Sequence, residues 1–324
     1  MNKGFFIALH PSMQVHRNID ELPIFRKAVV TIGTFDGVHL GHQQIIRQLK
    51  AEAAATDGET VIITFHPHPR KVIPGRKEGV SLLNTLDEKI RLLGHLGINH
   101  LVVVPFTAEF ATLTAEEYIR DFLVSKFHPS VLIIGYDHRY GQGRKGDYQL
   151  LEALAPVYGF EVKEIPEHVL NTVTISSTHI RNSLKEGKLA EANQFLGYPF
   201  PLTGTVVEGD KRGRTIGYPT ANLVIDGNEK LVAADGVYAV TLQIATRKNQ
   251  YRGMMNIGFR PTVGGGTRSV EVHILNFSEE IYGAVLMLKL HHYVRKEIKF
   301  PSLDALTMQL AEDKEEVEKL LADL

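Results

Sequence analysis

Between residues 28 and 175 short runs rich in β-branched residues recur at 28–32, 61–65, 101–106, 131–135 and 162–165. Amphipathic stretches of helical period separate them. Runs without polar alternation suit strands buried on both faces, and parallel neighbours need crossover connections of helical length. The pattern predicts βαβ units in an open parallel sheet, whose ligands bind beyond the carboxyl ends of the strands. The loops after Ile32, Phe65 and Gly135 are therefore the places to look for chemistry.

Further along, Ile180, Leu184, Leu189, Ala192 and Leu196 form a helical stripe interrupted at Gly187, and the segment 197–201, rich in Gly and Pro, ends it. From 204 to about 294 the chain changes character: 238–244, 251–257, 270–275 and 286–294 read as strands divided by turns, with no long helix between them. Leu303, Leu306, Leu310, Val317, Leu320 and Leu324 then recur as one face of a closing helix. The expected fold class is α/β plus β. A Rossmann-like doubly wound parallel sheet fills 1–199, and an antiparallel β-barrel with a C-terminal α-helix fills 200–324.

A length of 324 residues allows each half its own core. With 44% apolar and 23% charged residues the chain has the balance of a globular protein. The absence of cysteine excludes disulfides, thiolate nucleophiles and Cys-ligated metals. No apolar run reaches the roughly 18 residues of a membrane span, and the start lacks the length of a signal peptide, so a cytoplasmic protein with no membrane partner is expected. A net charge of -1 gives no field for nucleic acid, whereas 36 Lys plus Arg leave room for pockets that take small phosphorylated ligands. A monomer or weak homo-oligomer is expected.

The first such pocket is expected at residues 29–42, where a strand turns into a helix. Gly33, Gly37 and Gly41 let the backbone approach a ligand, and the helix head offers free N–H groups and a positive dipole end. His39 and His42 lie three apart, so both imidazoles can face one phosphate and stabilise charge developing on it. A second segment, 174–181, brings Ser176, Ser177 and Thr178 to another helix start, followed by Arg181. A single N-cap would need only one of those hydroxyls.

A second glycine-rich region spans Gly204, Val206, Gly209 and Gly213, with Lys211, Arg212 and Arg214 beside it, and no helical pattern or Walker-type lysine follows. Such a loop can wrap phosphates through backbone donors and cations, or be an ordinary hairpin. In the alternating run 270–274, Glu271 and His273 share a face.

Residues 33–42 resemble the HxGH loop, and 175–181 the ISSTxxR loop, of the HxGH nucleotidyltransferase superfamily. Within it the chain is most similar to the bacterial bifunctional riboflavin kinase/FAD synthetases, a collinear likeness that runs from about Thr31 to the final helix. It includes 64–69 and 135–141, the riboflavin kinase motif Pro219-Thr220-Ala221-Asn222, and 256–262 and 269–275.

The resemblance implies ATP-dependent conversion of riboflavin to FMN and of FMN to FAD, with Mg²⁺ accompanying ATP. It implies nucleotide contacts at Gly33, Thr34, Phe35, Asp36, Gly41, Ser176, Ser177 and Thr178, and again at Gly204, Val206, Gly209, Lys211 and Gly213. Flavin contacts are implied at His66, Pro67, His68, Asp137 and Arg139 in one half and at Asn256, Ile257, Gly258, Pro261 and Thr262 in the other. Thr220 and Asn222 are the implied Mg²⁺ ligands, Glu271 the base for the riboflavin hydroxyl, and His39, His42 and Arg181 the catalytic groups of adenylyl transfer. The chain departs from the family pattern at His66, where an acidic or amide residue is common, and at His138 and Tyr140, where phenylalanines are usual. Two other readings fit the same residues: adenylylation of a different substrate with an accessory barrel, and a regulatory protein that binds flavin or nucleotide without turnover.

Overall fold

The computed structural model describes residues 13–73, 81–136, 138–165, 175–209, 212–260 and 267–324. The chain forms two compact units, one of residues up to Ser176 and the other of Ser177–Leu324 together with Ser81–Thr85. This division precedes the composition change near residue 200, because the helix Leu189–Leu196 packs on barrel strands and the helix Ser177–Lys185 packs on it.

In the first unit, strands β1 (Gln14–His16), β2 (Val29–Ile32), β3 (Thr60–His66), β4 (His100–Pro105), β5 (Val131–Gly135) and β6 (Glu161–Ile165) form one sheet in the order β1-β4-β3-β2-β5-β6. Every pairing is parallel. Helices α1 (Leu40–Thr56), α2 (Leu86–His95) and α3 (Tyr148–Tyr158) are joined by a further helical stretch over 115–127 that widens to a π turn. Val30, Ile32, Val61, Ile63, Val102, Val104, Leu132 and Ile134 share one sheet face with Phe122, Phe127, Leu151 and Ala155. The alternate residues Val29, Ile62, Leu101 and Val131 are equally buried, and α1 packs on β2, β3 and β5. Burial on both faces explains why the strand runs lack polar alternation, each such side chain contributing roughly 1.5–3 kcal/mol. Strand β2 has β3 on one side and β5 on the other, so the order reverses there and the loops after Ile32 and Gly135 flank the switch point. Strand β1 escapes the sequence reading because its three residues are too few and too polar to show a run.

In the second unit, α4 (Ser177–Lys185) and α5 (Leu189–Leu196) are separated by Gly187 at φ +75°, the break expected there. A closed barrel follows, in the order β10-β11-β8-β7-β12-β9, with every pairing antiparallel. Its strands are β7 (Phe200–Val207), β8 (Ala221–Ile225), β9 (Gly236–Ile244), β10 (Gln250–Arg260), β11 (Thr267–Ile274) and β12 (Val285–Arg295). Two of them correct the sequence reading. Gly204 and Val206 lie inside β7, and Asn222 is the second residue of β8, where the composition suggests loop and turn. Cross-strand pairing overrides weak local propensity at both places. A short helical turn, Arg212–Thr215, also stands where no helical pattern was expected.

The closing helix α6 (Leu303–Leu320) buries Val317, and Leu321 follows it into a cluster with Val237, Ala239 and Met254. Leu303 and Leu324, counted in the apolar stripe, are exposed instead. The helix is also held by Asp313, which is 2% exposed and accepts two Arg295 donors at 2.8 Å (Nε) and 2.6 Å (Nη2).

The excursion of Ser81–Thr85 into this unit is secured by backbone pairing and two cations. Leu82 N donates to Glu229 O and Leu231 N to Leu82 O, Lys230 Nζ donates to Leu83 O at 2.6 Å, and Arg181 Nε donates to Ser81 O at 2.8 Å.

Candidate active sites

Strand β2 ends at Ile32, and Gly33 N extends its ladder by donating to Ile63 O at 3.0 Å. The chain then turns through left-handed conformations at Phe35, Gly37 and Val38 and enters α1. His39 is the N-cap of that helix, one residue outside it, and its Nδ1 accepts from His42 N at 3.4 Å. The His39 and His42 rings stack with centroids 3.7 Å apart and planes 17° from parallel. They share a face, as their spacing had suggested.

His42 Nδ1 is buried without a hydrogen-bond partner among the described residues. Burial first, then the neighbouring His39 and Lys89 charges, holds the His42 imidazole well below its ordinary pKa, so the ring is neutral at pH 7. A buried polar atom without a partner costs roughly 1–3 kcal/mol, which a ligand hydrogen bond would recover. No acidic side chain occupies the first turn of α1, so the positive end of the helix dipole is left for an anion. At Gly41 a Cβ would press on the His39 ring at 3.2 Å and stand 4.0 Å from Ile175 O, which places the start of the second motif beside the first. Asp36 is buried at 1% exposure.

One residue here lies in no motif, and it acts together with Thr64, which does. Lys89, on α2 and only 7% exposed, donates through Nζ to Thr34 O at 2.7 Å, and Thr64 on β3 donates to the same carbonyl at 3.2 Å. Burial lowers the Lys89 pKa to about 8 against the opposing pull of Asp36. The available signal was a lysine on the Leu86, Ile90, Leu93 stripe, where an apolar residue belongs.

His66 and Pro67 lie exposed at the end of β3, and burial followed by the Lys89 charge lowers the His66 pKa. His68 is turned inward and caps the next turn by accepting from Arg70 N at 3.2 Å. Arg139 pairs with Asp147 at 2.9 Å. Tyr140 is core, stacked on Tyr118 at 5.1 Å with its hydroxyl on Asp147 O. Ser176 is the last residue of the first unit, whereas Ser177, Thr178 and Arg181 sit on α4. Asp137 lies outside the described residues, as do Lys211, Pro261 and Thr262.

In the barrel, Glu271 on β11 stands opposite Asn222 on β8 and opposite Asn256 on β10, so the three form one row across adjacent strands. Thr220 Oγ1 donates to Glu271 Oε2 at 3.1 Å. His273, two residues along on the same face, meets Pro219 O at 2.8 Å through Nδ1 and packs edge-on against Tyr218. The motif turn is thereby fixed at both its proline and its threonine. Gly209 lets Asn222 approach closely, since a Cβ there would fall 2.0 Å from Asn222 Nδ2 and push that amide aside. Gly213 closes against Tyr218 O, Ile257 is fully buried, and Gly258 faces Glu297. Arg214 is an exposed ion-pair partner of Glu280 at 3.0 Å, which diverts one of the cations expected around phosphate.

Comparison with known proteins gives two family matches, FAD synthetase over residues 22–179 and riboflavin kinase over 196–321. The bifunctional riboflavin kinase/FMN adenylyltransferase of Listeria monocytogenes is 38% identical over 91% of this chain and 93% of its own length. The chain belongs to the family of bifunctional riboflavin kinase/FMN adenylyltransferases. The Escherichia coli K12 member is 38% identical over 88% of this chain and 90% of its own. A crystal structure described as a macrolide-efflux protein from Streptococcus pneumoniae shares the fold, with a TM-score of 0.83 and 32% identity over 95% of this chain and 99% of that one. That description names transport, whereas both family matches name flavin chemistry. No helix among the described residues is long and apolar enough to cross a membrane. The FAD synthetase match ends before Arg181, so that residue rests on the motif alone.

Proposed function

We propose that this chain phosphorylates riboflavin with ATP to give FMN and adenylylates FMN with a second ATP to give FAD and pyrophosphate. Adenylyl transfer belongs to 1–199 and phosphoryl transfer to 200–324, in the cytoplasm. One observation carries this reading: the two sets of reactive groups belong to different compact units, the stacked imidazoles at the head of α1 to one and the Asn222, Glu271, Asn256 row to the other.

In the first reaction the flavin 5′-hydroxyl gives its proton to the Glu271 carboxylate as its oxygen attacks the γ-phosphorus, and ADP leaves. Thr220 and Asn222 flank Glu271 with a hydroxyl and an amide oxygen, hard donors that suit Mg²⁺. When bound there with ATP, Mg²⁺ neutralises phosphate charge. Gly204, Val206, Gly209, Lys211 and Gly213 contribute to the nucleotide side, and Asn256, Ile257, Gly258, Pro261 and Thr262 to the flavin side.

In the second reaction an oxygen of the FMN phosphate attacks the α-phosphorus of ATP and pyrophosphate departs, with no protein nucleophile. His39 and His42 stabilise the charge that develops, Arg181 adds a guanidinium, and backbone N–H groups of the loop between Gly33 and Gly41 donate to phosphate oxygens. Ser176, Ser177 and Thr178 supply further donors, while His66, Pro67, His68, Asp137 and Arg139 surround the flavin.

Incubation of the purified chain with riboflavin, ATP and Mg²⁺, followed by chromatography of the flavins, tests the reading. FMN and FAD should both accumulate. Recovery of riboflavin alone, bound or free, overturns it.

A further inference from the structure

The loop between β2 and α1 is strained. Val38, a β-branched residue, has φ +36°, and Phe35 has φ +45°. Such conformations cost of order 1–3 kcal/mol each and persist only where the surroundings enforce them. The enforcement is visible at Thr34, whose carbonyl is gripped from two sides by Lys89 Nζ at 2.7 Å and Thr64 Oγ1 at 3.2 Å. Further along, Gln43 Nε2 holds Val38 O at 3.0 Å.

An ammonium bonds a carbonyl more strongly than a neutral donor does, but burying it carries a desolvation cost. The charge of buried Asp36 offsets part of that cost, and the grip on the Thr34 carbonyl is what the lysine adds to the loop. The charge does reach the site: Lys89 is near enough to depress the His42 and His66 imidazoles, and it faces buried Asp36. It adds a cation to a helix head that already favours anions.

We propose that Lys89 is a positioning residue of adenylyl transfer, holding the Thr34 carbonyl so that the strained loop presents its N–H groups and the His39/His42 pair to the α-phosphate of ATP. This rests on the assignment of that reaction to the first unit. The clamp acts on the geometry of the reacting phosphate, so its loss falls on kcat, since a misplacement of about 1 Å can cost about 100-fold.

The test uses the full chain in four forms: unsubstituted, Lys89→Met, Lys89→Arg and Thr64→Val. FAD formation from FMN is resolved into kcat and KM for ATP, with FMN formation from riboflavin measured alongside. Lys89→Met should lower kcat for FAD formation by about 100-fold and leave KM for ATP within about threefold. Lys89→Arg, which keeps the charge and the donors, should recover about tenfold of that loss. Riboflavin phosphorylation should be unchanged in all.

A kcat within about threefold of the parent, a loss confined to KM, or equal kcat losses in the Met and Arg variants overturns the proposal. If thermal melting shows that Lys89→Met no longer folds, Thr64→Val decides: a kcat loss of about threefold or more supports the clamp, and an unchanged kcat overturns it. Failure of the unsubstituted chain to make FAD refutes the assignment of the reaction itself, a result separate from any of these.

Discussion

Glu271→Gln isolates the chemistry of the barrel from its shape. The amide has the size of the carboxylate and can still accept from the Thr220 hydroxyl, which stands 3.1 Å from Glu271 Oε2, so the turn that carries Thr220 keeps its anchor. The Pro219 side of that turn is held independently by His273 at 2.8 Å. On the role proposed for Glu271, what disappears is the capacity to take a proton from the flavin hydroxyl. General-base assistance is worth about 10²–10⁴ in rate, or about 3 to 5 kcal/mol of barrier. FMN formation from riboflavin should fall by that factor in kcat with little change in KM for ATP. FAD formation from supplied FMN should remain at the parental rate, because no group of the His39/His42 site is altered. Both rates come from one preparation by chromatography of quenched samples. Retention of FMN formation within about threefold would show that the carboxylate is not the base. Equal loss of both activities would show that the two reactions are not separated as proposed.

Three further outcomes follow from other parts of the molecule. His42→Ala should lower FAD formation by about 10²–10³ while FMN formation continues, and parallel retention of both rates would refute the role of the imidazole pair. Asp313→Ala strands the Arg295 guanidinium, whose side chain is 18% exposed, and should cost about 3 kcal/mol; an unshifted midpoint for urea inactivation of FMN formation would contradict this. His16 and His100 meet at 3.1 Å beside Glu59, and burial lowers both pKa values, with His100 adding to the effect on His16 and Glu59 opposing that on His100. The unfolded chain therefore binds more protons below about pH 6.5, and stability falls as pH drops through that window. Thermal melts should show His16→Phe gaining on the parent between about pH 7.5 and 5.5, and a constant gap would remove His16 from the account.

Much of the architecture was legible because burial leaves a mark on residue choice. Strands covered on both faces are almost wholly apolar, and four such runs gave the middle of the sheet, whereas the edge strand β6 carries Lys163 and Glu164 and is partly exposed. The barrel was harder to read. Strands β7 and β8 contain Pro201, Gly204 and Asn222, which locally favour turns, and only pairing with β12 and β11 makes them strands. The sites divided in the same way. Residues in motifs could be named, but the row formed by Asn222, Glu271 and Asn256 depends on register between strands far apart in sequence. Lys89 could not be assigned a purpose from sequence, since its acceptor is a backbone carbonyl 55 residues away and carbonyls leave no trace in side-chain patterns.

The short return of Ser81–Thr85 to the second unit bears on how this polypeptide can be divided. Because Lys230 finds its buried acceptor on Leu83, a piece starting at residue 200 would lack a partner that its own sequence cannot replace. The kinase half is thus discontinuous along the gene, borrowing five residues from deep within the other half. Severing the polypeptide between the halves would leave the C-terminal piece without the backbone that pairs with Glu229 and Leu231.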